Sequence, residues 1–99
     1  MRIVLYRRTY PVPGAPVALS LIPFDGNRRH TFPAGGVVHE AVFDEVKVVV
    51  PDDATVDPIR GRLRWAGGAS PTRGKPIGST AQEVFDLARS GASGFRMAG

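Results

Sequence analysis

The chain has 99 residues, a net charge of +4, 42% hydrophobic residues and no cysteine. This length predicts a single domain, residues 1–99, with a small core, and the apolar content excludes wholesale disorder. The lack of cysteine excludes disulfides and thiolate metal sites. Because no apolar run reaches the length of a membrane span or of a signal peptide, we expect a cytoplasmic protein with no membrane partner.

Glycine and proline are abundant, with 12 and 9 residues, which predicts many turns and short elements. The alternation in residues 2–10 predicts a first strand, and that in 17–22 a second, separated by a proline-rich connector. Asp-Gly-Asn at 25–27 is typical of a turn, from which residues 28–32 return as a hairpin arm.

The densest apolar stretch is 37–50, which contains seven valines and is expected to form the middle of the core. Valine favours a strand, and a helix over 37–47 stays open as the alternative. The apolar positions change from odd to even near Asp44. An uninterrupted strand would also run for about 46 Å, so we expect a bulge or break near Asp44.

Residues 59–65 alternate more regularly than any other stretch and predict a strand. Its apolar side would carry Ile59, Leu63 and Trp65, and its other side three arginines about 6.6 Å apart. Residues 67–79 are rich in glycine and proline and are expected to form a surface loop.

A helix is predicted over about 80–90, because Thr80 and Glu83 form a capping box and Gly91 suits the position after the C-cap. Residues 94–97 are expected to form a last short strand or a docked tail. Together these elements predict an α+β fold: a small, mainly antiparallel twisted sheet or open barrel of four to six short strands, with one C-terminal helix.

Charge is segregated along the sequence. Residues 31–57 carry six acids and one lysine, whereas 58–78 carry five basic residues and no acid. Arginine binds phosphate through two parallel hydrogen bonds, so the basic segment predicts a polyanion-binding face. The candidate residues are Arg60, Arg62, Arg64, Arg73 and Lys75. The simpler interpretation is that these cations pair with the acidic segment, within the chain or between two copies.

Other sites are poorly supported. Gly68 and Gly74-Lys75 do not have the spacing of a phosphate-binding loop, and Pro76 replaces its hydroxyl residue. His30 and His39 lack a recognised ligand spacing. The sequence therefore predicts no catalytic residue, no cofactor and no metal ion.

The favoured hypothesis is a small non-enzymatic binding or accessory protein whose basic face contacts a polyanion, most plausibly nucleic acid. The alternative is a protein interaction or assembly subunit, a homo-oligomer or one that docks to a larger partner through its segregated charges.

Overall fold

Short antiparallel strands and one helix make up the fold. The computed structural model describes residues 1–25, 29–65, 78–91 and 94–98. Within these ranges the strands are β1 (Arg2–Thr9), β2 (Ala18–Ser20), β3 (Thr31–Ala34), β4 (Val37–Glu40), β5 (Val42–Val49), β6 (Thr55–Asp57), β7 (Arg62–Arg64) and β8 (Arg96–Met97), and the helix is α1 (Ala81–Ser90). The predicted α+β class and C-terminal helix are confirmed. The described residues form eight short strands, where four to six were expected, in three small sheets with no closed barrel.

The largest sheet has the strand order β2-β1-β5-β8. Its centre is the antiparallel pair of β1 and β5, which runs from Arg2 opposite Val49 to Thr9 opposite Val42. Two residues further on, the same register would place Pro11 opposite Glu40. Proline has no N–H to donate to the ladder, so β1 ends before it.

The valine-rich stretch forms β4 and β5, and the helical alternative over 37–47 is wrong. The predicted interruption exists, but it falls at Ala41 and not near Asp44, which pairs opposite Arg7 in the ladder. On the N-terminal side of Ala41 this stretch pairs with β3, and on the C-terminal side it pairs with β1. The change of partner strand therefore determines where the long strand breaks.

The hydrophobic core lies at one end of the β1–β5 pair, under the helix. Phe95 is 1% exposed, and its ring meets that of Trp65 edge-on, with the ring centroids 5.2 Å apart. The buried core consists of Leu5, Leu21, Val48, Val50, Ala54, Leu63, Trp65, Ala81, Val84, Ala88 and Phe95. Among the described residues from 22 to 45, none belongs to this cluster and no partly buried hydrophobic side chain packs against it.

Helix α1 has the ends that the sequence predicts. The Thr80 hydroxyl accepts a hydrogen bond from the backbone N–H of Glu83 at 3.3 Å. At the other end Gly91 has φ +70, and its N–H donates to the carbonyl of Leu87. Ala81, Val84 and Ala88 lie on the buried side, which fixes the helix against the sheet.

The strands β3 and β4 form a two-stranded ribbon, closed by Gly35 and Gly36 with φ angles of +61 and +75. Positive φ at both central residues is the requirement of the tightest hairpin turn. The sequence predicts that residues 28–32 form a hairpin with the second strand, and this prediction is wrong, because β3 pairs with β4.

The molecule is elongated. Its extents are 51 × 26 × 26 Å and its radius of gyration is 15.3 Å, against about 13 Å expected for a compact domain of this size. Strands β4 and β5 together span about 43 Å at the usual rise per residue, which is comparable to the long axis. The valine-rich stretch can therefore run nearly straight, because the molecule is longer than a compact domain of this size.

In the described part of the chain, no helix is both long enough and apolar enough to cross a membrane.

Candidate functional site

The predicted arginine-bearing strand is shorter than its alternation indicates. Strand β7 covers only Arg62–Arg64, and the residues before it form a turn. Asp57 holds this turn, because its Oδ1 accepts hydrogen bonds from the backbone N–H groups of Ile59 at 2.9 Å and Arg60 at 3.1 Å. Gly61 completes it with φ +60. Ile59 was predicted on the core side and is instead 89% exposed.

Three arginines, which we call the arginine cluster, come to the surface here: Arg60, Arg62 and Arg64. Leu63 lies between the last two and is fully buried, so the alternation of β7 directs both guanidinium groups outward. Arg60 reaches the surface from the turn and not from the strand, which corrects the prediction of one straight row.

The stem of Arg62 is held by its neighbours. A Cβ atom at Gly78, where φ is +79, would lie 2.6 Å from Cδ of Arg62. Strand β6 lies on the other side, with Asp57 opposite Arg62 and Thr55 opposite Arg64. The aliphatic part of Arg62 therefore packs closely over a residue that has no side chain.

The arginine cluster is only partly neutralised. Among the ion pairs of the described residues, none with an N–O distance within 4.0 Å involves its three members. Asp57 lies opposite Arg62 in the β6–β7 pair, and its pKa is lowered chiefly by the backbone N–H of Arg60, then by that of Ile59, and also by the charges of Arg60 and Arg64. One carboxylate therefore offsets part of the charge of two of the three guanidinium groups.

The acidic segment makes its contacts elsewhere. Asp44 pairs with Arg7, Glu40 lies 4.0 Å from Arg29, and Asp52 accepts a hydrogen bond from the N-terminal ammonium group at 2.8 Å. Within the described residues, none of these three acids forms an ion pair with the arginine cluster. The ion pairs of one chain therefore do not support the simpler interpretation that the acidic segment covers the arginines.

The ion pair between Arg7 and Asp44 gives a pH-dependent prediction. Arg7 donates to the two carboxylate oxygens of Asp44 at 3.1 and 2.5 Å, which lowers the pKa of Asp44. Stability from this pair is fully present above the unfolded-state pKa of about 3.9 and is lost as the pH falls through the lower folded-state value. Both side chains are over a third exposed, so the pair contributes about 0.5 kcal/mol to the free energy of unfolding.

The measurement is urea unfolding from pH 6 to 2. The free energy of unfolding is expected to depend less on pH in Asp44→Asn than in the parent, and an equal pH dependence in the two proteins would contradict this.

A shallow groove adjoins the arginine cluster, between β2 and the turn that precedes β7. Its volume is about 310 Å³, and its lining includes Ile22, Arg60, Arg62 and Ala81. The apolar side chain of Ile22 packs 3.8 Å from the Cβ position of Gly61. Arg60, Arg62 and the apolar residue Ile22 therefore border the same groove.

Two of the predicted site residues, Arg73 and Lys75, lie outside the described residues. The candidate site in the structure therefore consists of Arg60, Arg62 and Arg64.

The two histidines are in different surroundings. Nδ1 of His30 lies 3.0 Å from Nη1 of Arg8 and must accept the hydrogen bond, because arginine only donates. His39 lies on β4 opposite Phe32. No group of three or more metal-binding side chains occurs within the ranges that the structure describes.

Sequence reasoning missed a second cluster of side chains at the end of the molecule away from the core. Phe43 contacts the rings of Phe24 and His30, with centroid distances of 5.8 and 5.6 Å, and the guanidinium of Arg8 lies over Phe24. A cavity of about 290 Å³ lies beside Phe24 and Phe43. These residues come from separate segments without a shared motif, so no local pattern could have joined them.

Comparisons of the chain with family models, with curated proteins and with solved structures found no match.

Proposed function

We propose that the protein is a small non-enzymatic binding protein and that the arginine cluster contacts a polyanion, namely nucleic acid. The observation that carries the proposal is the exposure of three arginines, none of which belongs to an ion pair among the described residues. Phosphate is the anion whose geometry suits guanidinium best, and a chain of phosphates presents many of them in a row.

The frame of the arginine cluster supports this function. The core side of the β6–β7 hairpin is anchored by Leu63, and its turn is closed by hydrogen bonds to Asp57. Because these contacts fix the hairpin backbone, binding has to order only the arginine side chains. Trp65 is buried against Phe95, so it is not available to stack on bases beside the arginines. The proposed contact is therefore between the guanidinium groups and the phosphate backbone, without base stacking on Trp65.

The proposed location is the cytoplasm, where nucleic acid is accessible. We propose no catalytic residue and no cofactor.

The test compares two triple variants of equal net charge. Arg60, Arg62 and Arg64 are replaced by alanine in the first, and Arg2, Arg89 and Arg96, which are exposed elsewhere, in the control. We expect the first to bind a short DNA duplex and a single strand at least tenfold more weakly than the parent, because three phosphate contacts are lost. The control is expected to lose affinity by a smaller factor, through net charge alone.

The dependence of affinity on salt provides the second measurement. Each lost phosphate contact is expected to reduce the slope of log affinity against log salt by about 0.9 on duplex DNA. A smaller slope in the first variant and a nearly unchanged slope in the control support a local site. Equal losses in the two variants, or no binding by the parent at low salt, would contradict the proposal.

A further inference from the structure

The ribbon of β3 and β4 has one edge whose backbone groups point away from its partner strand. The N–H of Ala41 donates to the carbonyl of His30 at 2.9 Å. Since backbone groups alternate in direction along a strand, His39 also bonds towards β3, and Val38 and Glu40 direct their N–H and C=O groups outward. No described strand pairs with β4 on that side.

The opposite edge of the ribbon is blocked. Pro33 lies opposite Val38, at a position whose backbone nitrogen points away from β4. Proline has no N–H to donate there, and proline on an edge strand is a common protection against further pairing. The edge of β4 carries no proline and is therefore the edge of the ribbon that can accept another strand.

Apolar side chains flank the open edge. Val37 and Val38 are 58% and 64% exposed, and Val42 and Phe43, next along the chain, are 52% and 44% exposed. Successive residues of a strand point to opposite faces, so both faces of the ribbon carry apolar surface. A strand added at this edge would cover part of that surface on each face.

We propose that the open edge of β4 pairs antiparallel with the same edge of a second copy of this chain. An edge paired with itself is related by a two-fold axis, so both copies use the same residues and every new hydrogen bond occurs twice. The charges permit this approach, because the one acid of the ribbon strands, Glu40, lies 4.0 Å from Arg29 of the same copy. The two ribbons then form a four-stranded sheet in the order β3-β4-β4-β3.

The same geometry limits the assembly to two copies. Each outer edge of the four-stranded sheet is a β3 strand, and Pro33 blocks it. The interface is short, so we expect a dissociation constant in the micromolar range. Because it depends on backbone hydrogen bonds and apolar contact, the dimer is expected to persist at high salt, whereas association through segregated charge would dissociate.

The experiment measures the molar mass by sedimentation equilibrium over a range of protein concentrations. We expect the parent chain to dimerise, and Val38→Pro to weaken dimerisation at least tenfold by removing an outward N–H at the open edge. Thr31→Pro is the matched control, because it removes an outward N–H from the opposite edge of the same ribbon. It is expected to dimerise like the parent.

A second variant covers the case in which the proline disturbs the ribbon. Val38→Lys keeps the backbone N–H but places a long charged side chain at the edge, and it is also expected to weaken dimerisation at least tenfold. A parent chain that stays monomeric at about 500 μM would overturn the proposal, because a micromolar dimer would be mostly formed there. Dimerisation of folded Val38→Lys as tight as that of the parent would overturn it too. The triple alanine variant of the arginine cluster should still dimerise, so the two proposals can fail separately.

Discussion

Replacing Phe95 by alanine is expected to lower the free energy of unfolding by about 4 kcal/mol. The side chain is 1% exposed and packs edge-on against Trp65, so truncation removes a large apolar area and leaves a cavity in a dense interior. A small domain has only about 5–15 kcal/mol of stability in total, so much of it would be lost. Urea unfolding followed by the fluorescence of Trp65, the only tryptophan, measures the change.

Met97→Ala is the matched control for this prediction. Met97 lies two residues further along, in β8, and is 41% exposed. Its truncation is expected to cost less than about 1 kcal/mol. Equal losses of stability in the two variants would contradict the prediction that the buried packing of Phe95 is a major source of stability.

The second large effect is expected for Leu5→Ala, with a loss of about 3 kcal/mol. Leu5 is completely buried and lies opposite Val46 in the β1–β5 pair. Val42→Ala, further along the same pair but 52% exposed, is expected to change stability by less than about 1 kcal/mol. Chemical unfolding of both variants measures the difference.

Amide hydrogen exchange gives an independent check. If the core supports only one end of the β1–β5 pair, the amides near Leu5 should exchange by global unfolding and those near Thr9 by local opening. Uniform protection along β1 would contradict this picture, as would a large loss of stability in Val42→Ala.

Local signals in the sequence predicted much of the fold. The capping residues Thr80 and Gly91 define the ends of α1, because each satisfies a backbone group that the helix leaves open. The alternation around Leu63 predicted which side of β7 is buried and therefore that Arg62 and Arg64 point outward. Such features depend on a few neighbouring residues.

Which strands pair with each other was harder to predict from the sequence. The valines of β4 and β5 have the same local character, but β5 packs against the core and β4 belongs to the exposed ribbon. The difference arises because β1 stops before Pro11, more than 25 residues earlier in the chain. Likewise, Asp57 bends the chain into a turn before β7, so Ile59 leaves the apolar side despite its favourable spacing.

The pairing of β1 with β5 also bears on how the chain reaches its native state. Partners in this pair are separated by 33 to 47 residues, from Thr9 and Val42 to Arg2 and Val49. A topology dominated by such distant contacts folds in about milliseconds to seconds, because the intervening chain must first be brought together. The ribbon closes through two glycines and can form within about 10 μs, as isolated hairpins do. The open edge of β4 can therefore form transiently in the partly folded chain before the core is complete, although an isolated hairpin is only marginally stable.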